Sequence, residues 1–341
     1  MWWKDFIWKD WPIVTVKETG ARIRIDKALL SDVWAWVSYF VVELVRLIPR
    51  KLFSRREFRV YFTPNPPRPW YLLWPVIHLA DGRIVNTLQK ADTVFYFQDK
   101  TRGEPEPLPE LLTESGAASD PESGPIQTRN MQAFNMHCHD ISKSKVAQEF
   151  YTVFGYELAV NPREFHGPMV VKSEQNGTHD GYIAQGPTLP EPGWVYQHLI
   201  KTDEDDGYVT DLRCPTIRGD IPLVYIKRRP VGRRFDNMNS SVSIANAKDL
   251  FSREELAQIK AFCTAMKLDW GGIDILRDQI SRKIYIVDVN KTDMGPPLTL
   301  PLRQKLFSTA KLSSALKASV KADRSSAIFT GESVKTRKTP G

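Results

Sequence analysis

The sequence predicts an α+β protein with mostly antiparallel strands, arranged in more than one unit. Three observations predict it. The 341 residues suffice for two or more domains, and 42% hydrophobic with 26% charged residues is ordinary globular composition. Strand-like and helix-like runs do not follow the regular βα alternation of a doubly wound sheet. A stretch loaded with Pro, Glu, Ser and Gly, residues 103–129, separates a short first half from a denser second half.

Residues 1–55 predict a Trp-rich helical extension. The run ALLSDVWAWVSYFVVELVRLIP (28–49) is apolar, but the uncharged stretch between Asp32 and Glu43 is only about half of the ~20 residues a membrane-spanning helix requires. Trp2, Trp3, Trp8, Trp11, Trp34 and Trp36, followed by Arg46, Arg50, Lys51, Arg55 and Arg56, fit an interfacial amphipathic helix. A helix packed on the protein itself or on a partner is expected in preference. Asp5 and Asp10 interrupt the start and no small-residue cleavage site follows the apolar run, so no signal peptide is predicted.

Residues 56–130 predict a small α/β domain. EFRVYFTP (57–64) and ADTVFYFQD (91–99) read as buried strands, and Trp70 to Trp74 as a short helix or packed loop in a proline-rich connection. Beyond residue 131, Ser142 or Ser144 caps a helix carrying Val146, Phe150 and Val153 that Gly155 stops. Strands follow at 167–172, 194–200, 209–217 and 221–228. Ser252 and Glu255 form a capping box for a helix with Leu256, Ile259, Phe262, Cys263 and Met266 on one face. Gly271 and Gly272 are expected to end that helix, before strands GIDIL and KIYIVDVN. The tail, 303–341, is expected to begin as a helix through Leu306, Leu312 and Leu316 and to be disordered past Arg324.

Charge and cysteine usage exclude several classes. The net charge of +7 resides in residues 301–341, where nine Lys or Arg face Asp323 and Glu332, so the body is neutral and no nucleic-acid partner is expected. Three widely spaced cysteines, Cys138, Cys214 and Cys263, argue against a disulfide framework and for a reducing cytoplasm, with a peripheral membrane location left open by the N-terminus. MHCHD (136–140) could suggest zinc, but adjacent residues do not normally all reach one tetrahedral ion.

The chemistry lies elsewhere. Asp288 and Asn290, two apart on an apolar strand, project to one face and present two oxygen ligands; a turn-capping role for Asn290 is the simpler reading of that pair alone. Asp274, in GGIDIL, joins the same face if the two strands pair, giving the oxygen set magnesium takes together with waters and phosphate. Lys172 ends the strand GPMVVK and precedes a loop with Gly177 and Gly181, a point charge beside approachable backbone amides, as a polyphosphate requires.

In order, a lysine in SKSKVAQEF, a lysine in PMVVKSEQNGTHDG, the strand VYQHLI, then TDLRC, IKRR, GGIDIL and IVDVNKTDMG resemble the ATP-grasp superfamily, especially its alpha-L-glutamate ligase branch, over residues 131–302. The resemblance implies two α+β subdomains clasping ATP, preceded by the small α/β domain. It implies that Lys145, with Lys143 as alternative, and Lys172 contact ATP. Gln197, His198, Leu199 and Ile200 would form the adenine hinge, Asp211 and Arg213 the Asp-x-Arg strand, and Arg228 the basic residue reaching phosphate. Asp274, Asp288 and Asn290 would hold magnesium or manganese, and Asn239 resembles the asparagine before the last helix. The chain departs from the family at His198, at Asp288 in place of Glu, and at Asp293–Pro296. The implied activity is an ATP-dependent ligase joining a small-molecule or peptide carboxylate to an amine through an acyl-phosphate. A nucleotide-binding module without ligase activity and a small-molecule kinase are the alternatives.

Overall fold

The computed structural model describes residues 6–17, 22–25, 27–53, 57–104, 131–178, 180–236 and 239–332. The linker expected at 103–129 falls almost wholly outside them. At the N-terminus the strands β1 (Phe6–Asp10), β2 (Ile13–Val16) and β3 (Arg22–Arg24) form an antiparallel sheet before the helix α1 (Lys27–Phe53). The extension is therefore not helical throughout. Strands of three to five residues, interrupted at Trp11–Pro12, are too short to display a period in the sequence.

Next come β4 (Phe58–Pro64), α2 (Leu73–Leu79), β5 (Gly82–Ile84), β6 (Thr93–Phe97) and β7 (Gln132–Phe134). Their sheet is parallel, in the order β5-β4-β6-β7. All five residues of β6 are buried, as in a sheet covered on both faces. Since β7 lies beyond the linker, strand pairing crosses residue 130.

The remaining strands form two antiparallel sheets. β8 (Gly167–Ser173), β9 (Tyr182–Gly186) and β10 (Trp194–His198) pair in the order β10-β8-β9. β11 (Tyr208–Ile217), β12 (Val224–Pro230), β13 (Ser241–Ala245), β14 (Trp270–Arg277) and β15 (Ile284–Asn290) pair in the order β13-β12-β11-β14-β15. Helix α3 (Lys143–Phe154) starts where Ser142 accepts the Lys145 amide and stops at Gly155, whose φ of 74° is left-handed. α4 (Ala247–Leu250) leads into α5 (Arg253–Ala265), which carries the Ser252–Glu255 capping box. Val146 and Phe150 of α3 and Ile259, Phe262 and Cys263 of α5 share one core with Leu212, Ile273, Ile275 and Ile286 of the five-stranded sheet. On the sheet's other face Ile217, Tyr225, Val242 and Trp270 join the core of the parallel sheet, and Asp211, Arg213, Lys227 and Asp274 form a polar region beside them.

Two expectations change. Gly271 and Gly272 do not end the helix: α5 ends at Ala265, Lys267 takes a φ of 56° in the turn, and both glycines lie in β14. A Cβ on Gly272 would stand 2.7 Å from Arg213 Nε, so a bare backbone makes room for that guanidinium. Beyond Arg324, where disorder was expected, the described tail is helical as far as Glu332. Helix α6 (Leu302–Glu332) packs Leu312, Leu316 and Val320 into the core of the parallel sheet beside Phe95 and Phe134, and Lys317 bonds Asp81 at 2.7 Å. Residues 333–341 lie outside the described structure.

If α6 closes that core, Leu316→Ala leaves a buried cavity and lowers unfolding stability by about 2–5 kcal/mol. Chemical denaturation of parent and variant measures it, and a change under about 0.5 kcal/mol would show a dispensable helix.

Candidate active site

Between the three-stranded and five-stranded sheets runs a cleft. Because opposite residues in a ladder share a face, pairing fixes which side chains enter it. On the large sheet Arg213 lies opposite Asp274, Asp274 opposite Asp288, and Asp211 opposite Lys227. A bulge after Asp274 leaves Val287 unmatched, so that Val287 and Asp288 both line the cleft. From the small sheet come Val170, Lys172 and Gln197. Ser173, Gln175, Gly177, Thr178, Asp180 and Gly181, with Arg234, Phe235, Asp236 and Asn239, also line it, and Lys143 enters from the first turn of α3.

Charge is balanced across this lining, with Lys143, Lys172, Lys227, Arg229 and Arg234 against Asp180, Asp211, Asp236, Asp274 and Asp288. Asp274 accepts from Arg213 Nη1 and Lys227 Nζ, both at 3.0 Å. Burial alone would raise its pKa, but Arg213 and then Lys227 overcome that and hold the carboxyl well below the usual range. Arg229 pairs with Asp211, and Arg213 also with Asp293. Asp288 Oδ1 accepts from Lys143 Nζ at 2.7 Å. Among the described residues no donor reaches its other oxygen.

Lys172 differs from the other cations. Burial pushes its pKa down, with Asp288 as the chief opposing charge, and among the described residues no acceptor bonds its amine. The loop after it is anchored by Asn176, whose Nδ2 donates to the Val289 carbonyl at 2.8 Å and whose backbone N–H donates to Thr101 at 2.8 Å. Asn176 Oδ1 accepts from Lys143. Gly177 turns the loop with a φ of 79°. At the far end Gln197 is 1% exposed, and among the described residues its Nε2 has no partner. His198 packs edge-on against Phe165, and burial lowers its pKa, with Glu157 acting against it.

Several residues expected in the site lie elsewhere. Lys145 points along α3 to Glu149 at 2.5 Å, while Lys143, the alternative, enters the cleft. Arg228 faces outward to Glu204 at 2.9 Å and Asp206 at 2.5 Å, over the Tyr208 ring. Its neighbours Lys227 and Arg229 face in, as the two-residue period of β12 demands. Arg213 lies behind Asp274, clamped by two carboxylates and outside the lining. Asn290 accepts from the Thr292 N–H at 2.8 Å, the turn-capping role, and is also outside the lining. Lys172, Gln197, His198, Leu199, Ile200, Asp211, Asp274 and Asp288 all line the cleft, as does Asn239.

Lys227, Arg229, Asn176 and Asp293 were missed. The first two were legible from strand parity, since Lys227 must share a face with Asp211 once β11 and β12 pair. Asn176 and Asp293 carry no local signal. In MHCHD, Cys138 is buried, which pushes its thiol up to about 12. Among the described residues no three His, Cys, Asp or Glu side chains converge on a metal position. Of the three expected metal ligands, Asp274 and Asp288 line the cleft. Magnesium is commonly held by one or two carboxylates with phosphate oxygens and waters, so this pair fits it when a nucleotide supplies the rest.

No model of a known protein family matches the chain, and no curated protein sequence matches it. Solved structures similar to it include the ATP-grasp ligase PsnB with minimal precursor, Mg and ADP, at 12% identity and a TM-score of 0.43, covering 78% of this chain and 98% of that one. A RiPP-associated ATP-grasp ligase of Chryseobacterium gregarium gives 11% and 0.38, covering 76% and 96%. D-alanine–D-alanine ligase from Bacillus anthracis with ATP gives 12% and 0.38, covering 77% and 99%. Against a further PsnB structure the chain spans only 65% of that protein's length.

Two outcomes test the site. Asp288→Asn keeps the side-chain shape and an oxygen for Lys143 but removes one anion, so if the cleft takes magnesium with ATP, ligand-free melting falls modestly through the weakened Lys143 pair while most of the ligand-induced stabilisation is lost. Equal ligand-induced shifts in thermal unfolding would make Asp288 structural. Lys143→Ala weakens nucleotide binding by about tenfold or more and Lys145→Ala leaves it within about twofold, as measured by calorimetric titration.

Proposed function

We propose that this protein is an ATP- and magnesium-dependent carboxylate–amine ligase of the ATP-grasp type. The observation that carries the proposal is Lys172, an amine in the cleft with no acceptor, beside the open oxygen of Asp288. A half-buried amine whose only support is the unbonded charge of nearby aspartates is incompletely compensated, and a phosphate oxygen would supply the acceptor it lacks. Gln197 and the hinge residues that follow form a less charged end of the same cleft, suited to a nucleobase. The magnesium ion would be held by Asp274 and Asp288 and would supply charge neutralisation on the phosphates.

In this reading a substrate carboxylate oxygen attacks the γ-phosphorus, the bond to the β,γ-bridging oxygen breaks, and ADP leaves. An amine then attacks the acyl carbon, loses a proton and expels inorganic phosphate. Lys143, Lys172 and Lys227 offset the charge on the transferred phosphoryl group. Arg213 acts at one remove, fixing Asp274 from behind rather than touching phosphate. Arg228 has no part in the cleft.

The test is ADP and phosphate release against pools of amino acids, small peptides and carboxylic acids, with mass detection of products. Amide formation with stoichiometric ADP supports the ligase. Phosphorylated product without amide would make the protein a kinase, and ATP binding without turnover in any pool would make it a nucleotide-binding module.

A further inference from the structure

Helix α1 uses one face on the protein itself. Tyr39 and Leu47 are buried, Tyr39 shares a 2.8 Å hydrogen bond with Thr309 of α6, and Arg46 donates to the Leu306 carbonyl at 3.3 Å. The opposite face is apolar as well. Leu30, Trp34, Val41, Leu44, Val45 and Ile48 are exposed, Trp34 to 73% and Val45 to 58%. At 3.6 residues per turn these six fall on a single stripe, and no charged residue between 28 and 50 shares it.

We propose that this stripe docks the protein on an anionic membrane surface, with α1 lying in the plane of the interface. Size argues against a protein partner. A stripe from residue 30 to 48 is roughly 27 Å long and about 10 Å wide, or about 270 Å², against the ≈ 800 Å² that each side of a stable protein interface buries. A lipid surface sets no such minimum, because each inserted apolar side chain contributes separately. Charge argues for anionic lipid. From Arg50 to Arg56 the sequence carries Arg50, Lys51, Arg55 and Arg56 and no acid, so cations follow the C-terminal end of the stripe along the chain. Trp34 has the amphipathic ring that favours the headgroup level. No described helix is long and apolar enough to cross a membrane, which agrees with lying on one.

Co-sedimentation of the full chain with vesicles tests this, using phosphatidylcholine alone or mixed with phosphatidylserine. The protein is expected to bind the mixed vesicles, more weakly at high salt, and to leave the neutral ones in the supernatant. Trp34→Glu with Val41→Glu, two exposed positions, should keep the parent's melting temperature and reduce binding by at least about tenfold. Reversing Arg50, Lys51, Arg55 and Arg56 to Glu should also abolish it. Variant binding equal to the parent's, equal binding to both vesicle types, or no binding to either overturns the proposal. So does light scattering that shows a lipid-free dimer which the Trp34/Val41 variant dissociates.

Discussion

Asp274 is the residue around which the cleft is arranged, because a carboxylate on the polar face of a packed sheet must be compensated where it stands. Arg213 and Lys227 hold it from two neighbouring strands. Arg213 is itself clamped by Asp293, which follows β15, so three strands and the turn beyond them are tied into one ionic row. Removing one partner from such a row leaves a buried charge unpaired, at a cost of about 3–5 kcal/mol. The row also explains the bare backbone at Gly272, where a side chain would occupy the guanidinium's place. Apolar packing on α3 and α5 fixes the sheet from the other face.

Around that row the cleft keeps groups in reserve. Lys143 links α3 to both Asp288 and Asn176, and Asn176 links the glycine loop to the Val289 carbonyl. One lysine and one asparagine thus couple a helix, a loop and a strand. Lys172 stands outside this hydrogen-bond network, with burial lowering its pKa and the nearby Asp288 carboxylate working against that. In the proposed function this amine is the one that receives a phosphate oxygen.

Much of this was legible in the sequence, and the omissions have physical reasons. Ser142, Gly155 and the Ser252–Glu255 box mark helix ends because capping is a local interaction. The strands bearing Lys172, Asp274 and Asp288 stood out through apolar runs ending in charge. Where several candidates were adjacent, parity decided. Lys143 and Lys145, like Lys227 and Arg228, differ in direction by the helical or strand period, and the choice depends on register, which pairing sets. Asn290 shows the local case: its side chain makes the turn contact that an Asn at a strand end commonly makes. The burial of α6 against a sheet more than 150 residues away in sequence leaves only a weak leucine spacing to read.

The most direct measurement of the central claim is the equilibrium affinity for ATP with and without magnesium. If Asp274 and Asp288 hold a metal that bridges to the phosphates, ATP binds well only with the divalent ion, and chelating it releases the nucleotide. Undiminished ATP affinity in the presence of a chelator would contradict the account, because the carboxylate pair would then have no ligand to share with the phosphates.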